Sequence, residues 1–150
     1  TAEDARDHLC VRGETPNRVM AGGERLGNRG YFFPVTVLAD LPGDARAMYE
    51  EPFGPMALIN PVSSLDEAIE KANALPFGLA AYGFTHSAAN ADRLAEGIEA
   101  GTVSINTLEA SVPATPFGGV KESGYGREGG IEGLTHYMTV KNVSHRMSIA

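Results

Sequence analysis

The sequence predicts an α/β fold in which helices cover a parallel β-sheet. Between residues 55 and 106, short apolar runs alternate with two segments whose apolar residues recur at the spacing of a helix face. Strand, helix, strand, helix, strand in that order requires crossover connections, which are right-handed and produce a parallel sheet. The alternation therefore predicts the fold class before any single element is assigned.

The first third of the chain predicts one helix and two strands. Residues 2–12 have acidic residues near the start and a basic residue at the end, as the helix dipole favours. Residues 18–21 are a short candidate strand. Residues 31–39 form a β-branched and aromatic run, and Pro34 restricts that strand to a sheet edge or to its own entry.

The middle of the chain contains the clearest helix. One or two helical turns capped by Asp44 are expected at residues 45–49, and a buried strand is expected at residues 56–59. Ser64 and Glu67 then form a capping box at the start of the helix. The apolar stripe of this helix consists of Leu65, Ala68, Ile69 and Ala72.

The alternation continues in the last third and then stops. We expect a second buried strand at residues 79–85, a helix capped by Ser87 and ended by Gly101, and a third strand at residues 102–106. Residues 107–130 are predicted to be irregular, and loops of that length in compact domains are usually functional.

The chain ends in a polar, alternating segment at residues 137–149, which has strand character. Such a strand is half exposed at best, and an unpaired edge of this kind favours pairing with another strand. The tail is therefore expected to need a partner.

The composition is that of a soluble globular protein. The 150 residues are 43% hydrophobic and 21% charged, and their number is sufficient to bury a core. Twelve Lys and Arg against nineteen Asp and Glu give a net charge of -7, which disfavours nucleic acid and anionic membranes as partners. No apolar run approaches the roughly 20 residues of a membrane helix, and the acidic opening is unlike a leader, so a cytoplasmic protein is expected. Thr1 enters a helical pattern at once, as a piece of a longer chain would.

The turn at residues 50–55, with the sequence EEPFGP, places a carboxylate and an aromatic ring two residues apart, at Glu51 and Phe53. A carboxylate offers paired acceptors to the two hydroxyl groups of a ribose, and a ring can line a flat heterocycle. The pair matches half of a nucleotide pocket. On these residues alone, a solvated acid and a core phenylalanine remain the simpler interpretation.

Three other patterns favour plain structural interpretations. Residues 124–129 match G-x-G-x-x-G, but no apolar strand precedes them and no acid follows about 20 residues later, which favours an ordinary loop. Cys10 is the single cysteine, and no oxyanion-hole element or orienting carboxylate is recognisable near it, so an inert side chain is favoured over a nucleophile. The scattered histidines lack metal-ligand spacing, so no metal is expected.

Five blocks of sequence carry a resemblance to a known family. They are GYFFP at residues 30–34, EEPFGP at 50–55, ALPFGLAA at 74–81, GTVSIN at 101–106 and PFGGVKESG at 116–124. In this order, and over essentially the whole chain, they resemble the C-terminal portion of the aldehyde dehydrogenase superfamily. Five collinear matches with plausible loop lengths make chance a poor explanation.

The resemblance implies the oxidation of an aldehyde to a carboxylic acid by a cysteine thiolate and a base, with NAD or NADP as the hydride acceptor. In the family the cysteine, the base and the dinucleotide-binding domain precede this region, so no catalytic residue is expected here. By position in the motif, Glu51 resembles the residue that holds the nicotinamide ribose, and Phe53 resembles the ring that lines the nicotinamide site.

Residues 108–117, with the sequence LEASVPATPF, resemble the substrate-entrance loop of the family. In it, Ser111 is a candidate hydrogen-bond donor to a substrate carboxylate, and Phe117 is a candidate wall of the acyl pocket. Together with the GGVK that follows, the loop is most similar to those of succinate-semialdehyde dehydrogenases.

Two hypotheses of different class follow. The first assigns residues 1–134 to the C-terminal part of a catalytic domain, and residues 135–150 to an oligomerisation arm of a homodimer or homotetramer. The alternative is a free-standing, non-catalytic module that uses the same fold for binding or oligomerisation. A reading frame that continues upstream into a cofactor domain and a reactive cysteine would favour the enzyme.

Overall fold

The computed structural model describes residues 18–148 of the chain. Among these residues, the first of two compact units runs to Ser63 and the second begins at Ser64. The helix expected at residues 2–12 and the side chain of Cys10 lie outside the described residues. Both expectations therefore stay predictions.

The first unit is built on a three-stranded sheet. β1 (Arg18–Ala21) pairs antiparallel with β2 (Thr36–Ala39), and β2 pairs parallel with β3 (Met56–Ile59). The sequence predicts all three strands, and β2 begins only after Pro34 because proline cannot donate to a strand ladder. The core of this unit consists of the buried Leu38, Leu41, Ala45 and Ala47, with Met48, Met56 and Leu58 packed against them.

Thr36 joins the start of β2 to the turn that precedes it. Its side chain is fully buried, and its Oγ1 accepts a hydrogen bond from the N–H of Gly23 at 2.9 Å. The same hydroxyl donates to the carbonyl oxygen of Pro34 at 3.1 Å. Because buried polar groups need partners, these two bonds let Thr36 fix the turn against the sheet.

A 3-10 helix, Arg46–Met48, forms where one or two helical turns are predicted, but the predicted cap is wrong. Ala45 precedes the helix and no side chain caps it. The backbone makes this turn by itself, since the N–H of the fully buried Ala45 donates to the carbonyl of Pro42 at 3.0 Å. Asp44 is left exposed to solvent.

The two longer helices of the second unit, α1 (Leu65–Asn73) and α2 (Ala88–Gly97), begin at the predicted caps. The Oγ of Ser64 accepts from the N–H three residues later at 3.1 Å, and the Oγ of Ser87 does the same at 3.3 Å. Such caps satisfy N–H groups that have no partner inside the helix. In the part of the chain that the structure describes, no helix is long and apolar enough to cross a membrane.

The end of α2 differs from the prediction. The helix stops at Gly97 rather than continuing to Gly101, because Ile98 adopts an extended backbone with φ of -84° and ψ of 123°. A side chain at Gly97 would lie 3.1 Å from Ile69 of α1. The two helices therefore approach each other closely where α2 ends.

The remaining strands of the second unit form two small sheets. β5 (Ala80–Gly83) pairs parallel with β6 (Thr102–Ile105), and β4 (Phe77–Gly78) pairs antiparallel with β7 (Val120–Lys121). Of the strands in the predicted alternation, β5 and β6 pair in the predicted parallel direction, whereas β3 pairs with β2, which precedes the alternation. The described strands nevertheless make three sheets of mixed direction and not one parallel sheet. β1 reaches β2 without a helical crossover, and only parallel pairing requires one.

The region predicted to be irregular contains β7 and is followed by a short helix, α3 (Gly130–Thr135). A two-residue strand and a helix with two glycines give no hydrophobic periodicity, so the sequence does not reveal them. Residues 138–148 have no regular structure and are exposed in the single chain. Pairing of this tail with a neighbouring subunit stays a prediction.

The buried core is smaller than length and composition imply. Large apolar side chains such as Ile59, Phe84 and Val140 are more than half exposed, at 56%, 65% and 94%. The buried hydrophobic residues among residues 18–148 are Leu38, Leu41, Ala45 and Ala47. The described residues therefore form few fully buried positions, and many of their large apolar side chains stay accessible.

Replacing Thr36 by valine is expected to lower the free energy of unfolding by about 1–3 kcal/mol, because the N–H of Gly23 would lose its acceptor at a buried position. Urea denaturation of the complete protein measures this change. Thr36→Ser is the control, because it keeps the hydroxyl and removes only the methyl group. It separates the contribution of the hydrogen bonds to stability from that of methyl packing. A valine variant as stable as the parent protein would contradict the assigned role.

Candidate functional site

Two successive three-residue turns, at residues 52–54 and 54–56, follow directly after Glu51, and the first contains Phe53. The N–H of Gly54 donates to the carbonyl of Pro52 at 2.8 Å, and the N–H of Met56 donates to the carbonyl of Gly54 at 2.8 Å. A third bond, from Thr36 N–H to the carbonyl of Pro55 at 2.8 Å, ties the segment to β2. Glu51 and Phe53 thus lie just before the start of β3, on a backbone that the sheet holds.

The two adjacent glutamates of this turn differ in their contacts. The Oε2 atom of Glu50 accepts from Arg46 Nε at 2.8 Å and lies 2.7 Å from Nη2, so Glu50 is tied to the 3-10 helix. The carboxylate of Glu51 is exposed, and no group among residues 18–148 forms a hydrogen bond or ion pair with it. Glu51 is therefore the carboxylate whose two oxygens can accept from a ligand.

Phe53 presents its ring almost entirely to solvent, with 95% of its surface exposed. The neighbouring Pro52 restricts the backbone at this point, because its ring fixes φ. An aromatic side chain in this setting offers a flat apolar surface on a constrained segment, which suits contact with a planar ring. The expectation of a core phenylalanine does not hold in this chain.

The loop that carries Ser111 begins at Asn106, in the second unit. Asn106 has a positive φ of 57°, which turns the chain away from β6. Its side chain accepts from Thr85 N–H at 2.8 Å and donates to the carbonyl of Thr85 at 2.9 Å. The side chain of the first residue after the strand is therefore bonded to both backbone polar groups of Thr85, and the loop begins at a fixed point.

Ser104, in β6, anchors the first half of this loop through a hydrogen bond. It is buried, with 6% exposed, and its Oγ donates to the carbonyl of Glu109 at 3.0 Å. Farther along, the N–H of Thr115 donates to the carbonyl of Val112 at 3.0 Å and closes a turn. Ser111 lies between these two anchors with an exposed hydroxyl that has no hydrogen-bond partner within residues 18–148.

Phe117 ends the loop and is half-buried. Its N–H donates to the carbonyl of Glu128 at 2.7 Å, and its carbonyl accepts from the N–H of Glu128 at 2.8 Å. This isolated antiparallel bridge fixes the backbone of Phe117. The sequence gives no signal for Glu128 as its partner, because one bridge leaves no alternating pattern.

The block that follows Phe117 is fastened to α1 by Lys121. The Nζ of Lys121 donates to the carbonyls of Asn73 at 3.2 Å and Leu75 at 3.3 Å, and it lies 2.5 Å from a carboxylate oxygen of Glu99. A cation at the C-terminal end of a helix satisfies carbonyls that have no partner inside the helix. Sequence analysis did not identify this role for Lys121.

Residues 124–129, which match the spacing of a dinucleotide-binding motif, lie in a loop. β7, the strand before them, has two residues and pairs antiparallel, and the following α3 has six residues, so the required parallel strand, helix, strand unit is not formed here. This loop lines part of an open groove of about 840 Å³. Within residues 18–148, no group of three or more His, Cys, Asp or Glu side chains is placed to hold a metal ion.

The candidate residues therefore fall into two pairs. Glu51 and Phe53 share one turn of the first unit, and Ser111 and Phe117 share one loop of the second unit. In each pair the backbone is held by hydrogen bonds, while the polar side chain is exposed and unpaired among the described residues. This combination suits side chains that bind a ligand.

Comparison with known proteins gives one consistent family. Residues 9–143 match the model of the aldehyde dehydrogenase family. The chain is 45% identical to 4-(hydroxymethyl)benzenesulfonate dehydrogenase TsaD1 of Comamonas testosteroni, over 91% of this chain and 30% of that protein. It is 45% identical to a probable NADP(+) succinate-semialdehyde dehydrogenase of Synechocystis, over 81% of this chain and 27% of that protein. It is 40% identical to 3-sulfolactaldehyde dehydrogenase of Pseudomonas putida, over 91% of this chain and 28% of that protein.

Solved structures agree with the sequence relatives. An NAD-dependent aldehyde dehydrogenase of Sinorhizobium meliloti superposes with a TM-score of 0.83 at 34% identity, over 91% of this chain and 27% of that one. A Burkholderia pseudomallei succinate-semialdehyde dehydrogenase gives a TM-score of 0.81 at 39% identity, over 91% of this chain and 27% of that one. An NAD+ complex of a Bacillus cereus aldehyde dehydrogenase superposes with a TM-score of 0.78 at 42% identity, over 83% of this chain and 26% of that one. The chain thus spans less than a third of the length of these relatives.

Removing the hydroxyl of Ser104 with alanine is expected to lower the free energy of unfolding by about 1–2 kcal/mol, because the Glu109 carbonyl loses its buried donor. Hydrogen exchange of the amides at residues 107–112 should quicken. Ser111→Ala is the matched control, since that hydroxyl has no described partner, and both readouts should stay at the parent values. Equal effects of the two substitutions would contradict the anchor.

Proposed function

Because the chain belongs to the aldehyde dehydrogenase family, we propose that it forms the C-terminal part of the catalytic domain of an NAD(P)-dependent enzyme that oxidises an aldehyde to a carboxylic acid. The observation that carries the proposal is the turn at residues 50–55, where the family motif presents an exposed ring and a carboxylate that has no partner among residues 18–148. Residues 1–134 are assigned to the catalytic domain and residues 135–150 to an oligomerisation arm.

Glu51 is proposed to hold the ribose of the nicotinamide nucleotide. Its two carboxylate oxygens can each accept from one hydroxyl of a vicinal diol, and hydrogen bonds to an ionised acceptor are about twice as strong as neutral ones. The contact of Glu50 with Arg46 supports this choice, because it leaves Glu51 as the carboxylate with free acceptors.

Phe53 is proposed to line the nicotinamide ring. When bound, NAD or NADP accepts the hydride from the aldehyde carbon. The contribution of this chain is placement: a constrained aromatic surface limits where the planar ring can lie, and hydride transfer requires close alignment of the reacting atoms. The exposure of Phe53 in this chain supports a contact of this kind.

The groups that react with the aldehyde are proposed to lie outside the matched blocks of this chain. None of the matched blocks contains the nucleophilic cysteine, the base or the dinucleotide-binding domain of the family, and Cys10 matches no catalytic position. The chain spans 27–30% of the relatives named above, which is compatible with that division.

The loop at residues 108–117 is proposed to contact the substrate, with Ser111 as a donor to an anionic group and Phe117 as a wall of the acyl pocket. The loop contains Glu109 and no Lys or Arg, so it can offer only neutral donors to such a group. Succinate-semialdehyde dehydrogenases among the relatives support a semialdehyde as the substrate class.

The exposed tail is proposed to add a strand to a neighbouring subunit in a homodimer or homotetramer. Tyr137, Val140 and Val143 are exposed there at 91%, 94% and 76%. Strand addition would pair the backbone of the tail and cover these side chains. A cytoplasmic location is also proposed, because a single cysteine fits a reducing compartment.

Glu51→Gln in the complete enzyme is expected to raise the cofactor KM roughly tenfold and to lower kcat, because one charged acceptor is lost and the nicotinamide is misplaced. Steady-state kinetics with varied NAD and NADP measure both constants. The matched control is Glu50→Gln, which breaks an exposed ion pair and should change the cofactor KM by no more than about twofold. If the Glu50 variant shows the larger effect, the assignment is wrong.

The chain of residues 1–150 by itself is expected to form no NADH from NAD and an aldehyde, because none of the matched blocks supplies the activated thiolate and the oxyanion donors that the reaction needs. Absorbance at the NADH band measures this. In the complete enzyme, Cys10→Ser should leave kcat close to the parent value. Loss of turnover on that substitution in a folded enzyme would place the nucleophile at Cys10 and overturn the proposed division.

A further inference from the structure

Residues 124–130, with the sequence GYGREGG, serve no purpose in the proposed cofactor site, yet they pack against the candidate substrate loop. We call them the glycine platform. Glu128 pairs with Phe117 through two backbone hydrogen bonds of 2.7 and 2.8 Å, and the N–H of Gly130 donates to the carbonyl of Pro113 at 3.0 Å. These bonds hold the loop at its end and near its middle.

The backbone of the platform lies too close to the loop to admit a side chain. A methyl group at Gly129 would lie 2.5 Å from the carbonyl oxygen of Thr115, and Gly129 has a φ of 71°. A methyl group at Gly130 would lie 3.0 Å from the nitrogen of Pro116. Glycine is required here both for its backbone conformation and for the close approach.

The platform is itself fixed to the second unit by Arg127. The Nη1 of Arg127 donates to the carbonyl of Gly119 at 2.8 Å and to that of Gly126 at 2.6 Å. The backbone N–H of Arg127 donates to Nε2 of His136 at 3.3 Å. Contacts on both sides of Arg127 therefore join the platform to the block after Phe117 and to the end of α3.

We propose that the glycine platform is a specificity element for the aldehyde, in which Gly129 and Arg127 act as positioning residues for the loop and for Phe117. The inference rests on the proposed function, which places this loop at the substrate. Since the bridge to Glu128 fixes the backbone of Phe117, a shift of the platform moves the wall of the acyl pocket. Such a shift changes the fit of the acyl chain without altering a group that touches the reacting atoms.

The test compares Gly129→Ala with Gly124→Ala in the complete enzyme. Both glycines belong to the platform and have a positive φ, of 71° and 130°, but a methyl group at Gly124 would have no atom within 4 Å. The readouts are hydrogen exchange at residues 111–117, and kcat and KM for acetaldehyde, butanal, hexanal and succinate semialdehyde. Gly129→Ala should quicken exchange in the loop and change the ratio of kcat/KM between short and long aldehydes about tenfold. The cofactor KM should stay constant, and Gly124→Ala should leave the aldehyde ratios unchanged.

A second variant keeps the test decisive if Gly129→Ala fails to fold. Arg127→Lys retains the charge and loses the geometry that reaches two carbonyls, so it should shift the aldehyde ratios in the same direction by a smaller factor. A general structural defect would instead lower kcat for all aldehydes equally, and that result would overturn the specificity role.

Two further outcomes distinguish the inference from the function on which it rests. Unchanged loop exchange in Gly129→Ala and Arg127→Lys would overturn the positioning role and leave the substrate loop intact as a proposal. Faster loop exchange with unchanged aldehyde ratios would show that the loop does not contact the substrate, and would overturn the substrate assignment together with the specificity role.

Discussion

Asparagine side chains that accept from one backbone N–H and donate to a nearby backbone carbonyl hold together the ends of the short elements. Asn106 pairs with Thr85 after β6 and β5, and Asn60 pairs with Leu41 after β3 and β2. Asn73 accepts from the N–H of Glu99 at 2.8 Å and donates to the carbonyl of Gly97 at 2.7 Å, which joins the ends of α1 and α2. Four-residue strands make few ladder bonds, so each such clamp replaces pairing that a longer strand would supply. The start of the candidate substrate loop depends directly on one of them.

Close backbone contact explains why the matched sequence blocks are rich in glycine. At Gly101, a methyl group would overlap the carbonyl oxygen of Gly118, so the strand entry at β6 can approach the backbone after Phe117 only because residue 101 has no side chain. The glycines of these blocks thus build the support, and the side chains between them include the proposed ligand-binding residues Glu51, Phe53 and Phe117. The segment that resembles a nucleotide motif belongs to this support.

The candidate site residues share a physical character that separates them from their neighbours. Glu50 is paired with Arg46 and Ser104 is bonded to a carbonyl, so both side chains are used inside the protein. Glu51 and Ser111 stand close to them in sequence but have no partner among residues 18–148. Because these two side chains are exposed, their oxygens are accessible to water or to a ligand, which is compatible with the proposed roles. The exposed ring of Phe53 fits the same division, since its apolar face is not used in a core.

The sequence by itself determined those features that depend on nearby residues. The caps at Ser64 and Ser87 and the two helices that follow them come from hydrogen bonds and apolar contacts within one or two turns, so local spacing was sufficient to predict them. The five collinear blocks likewise identified the family, and the block around Glu51 supplied the candidate cofactor residues. Tertiary structure decided the two-residue strand β7, the bridge from Phe117 to Glu128 and the loss of the Asp44 cap. Each of these three features depends on backbone groups that folding brings together or on burial of a neighbouring residue. Such contacts leave no periodic signal along the chain.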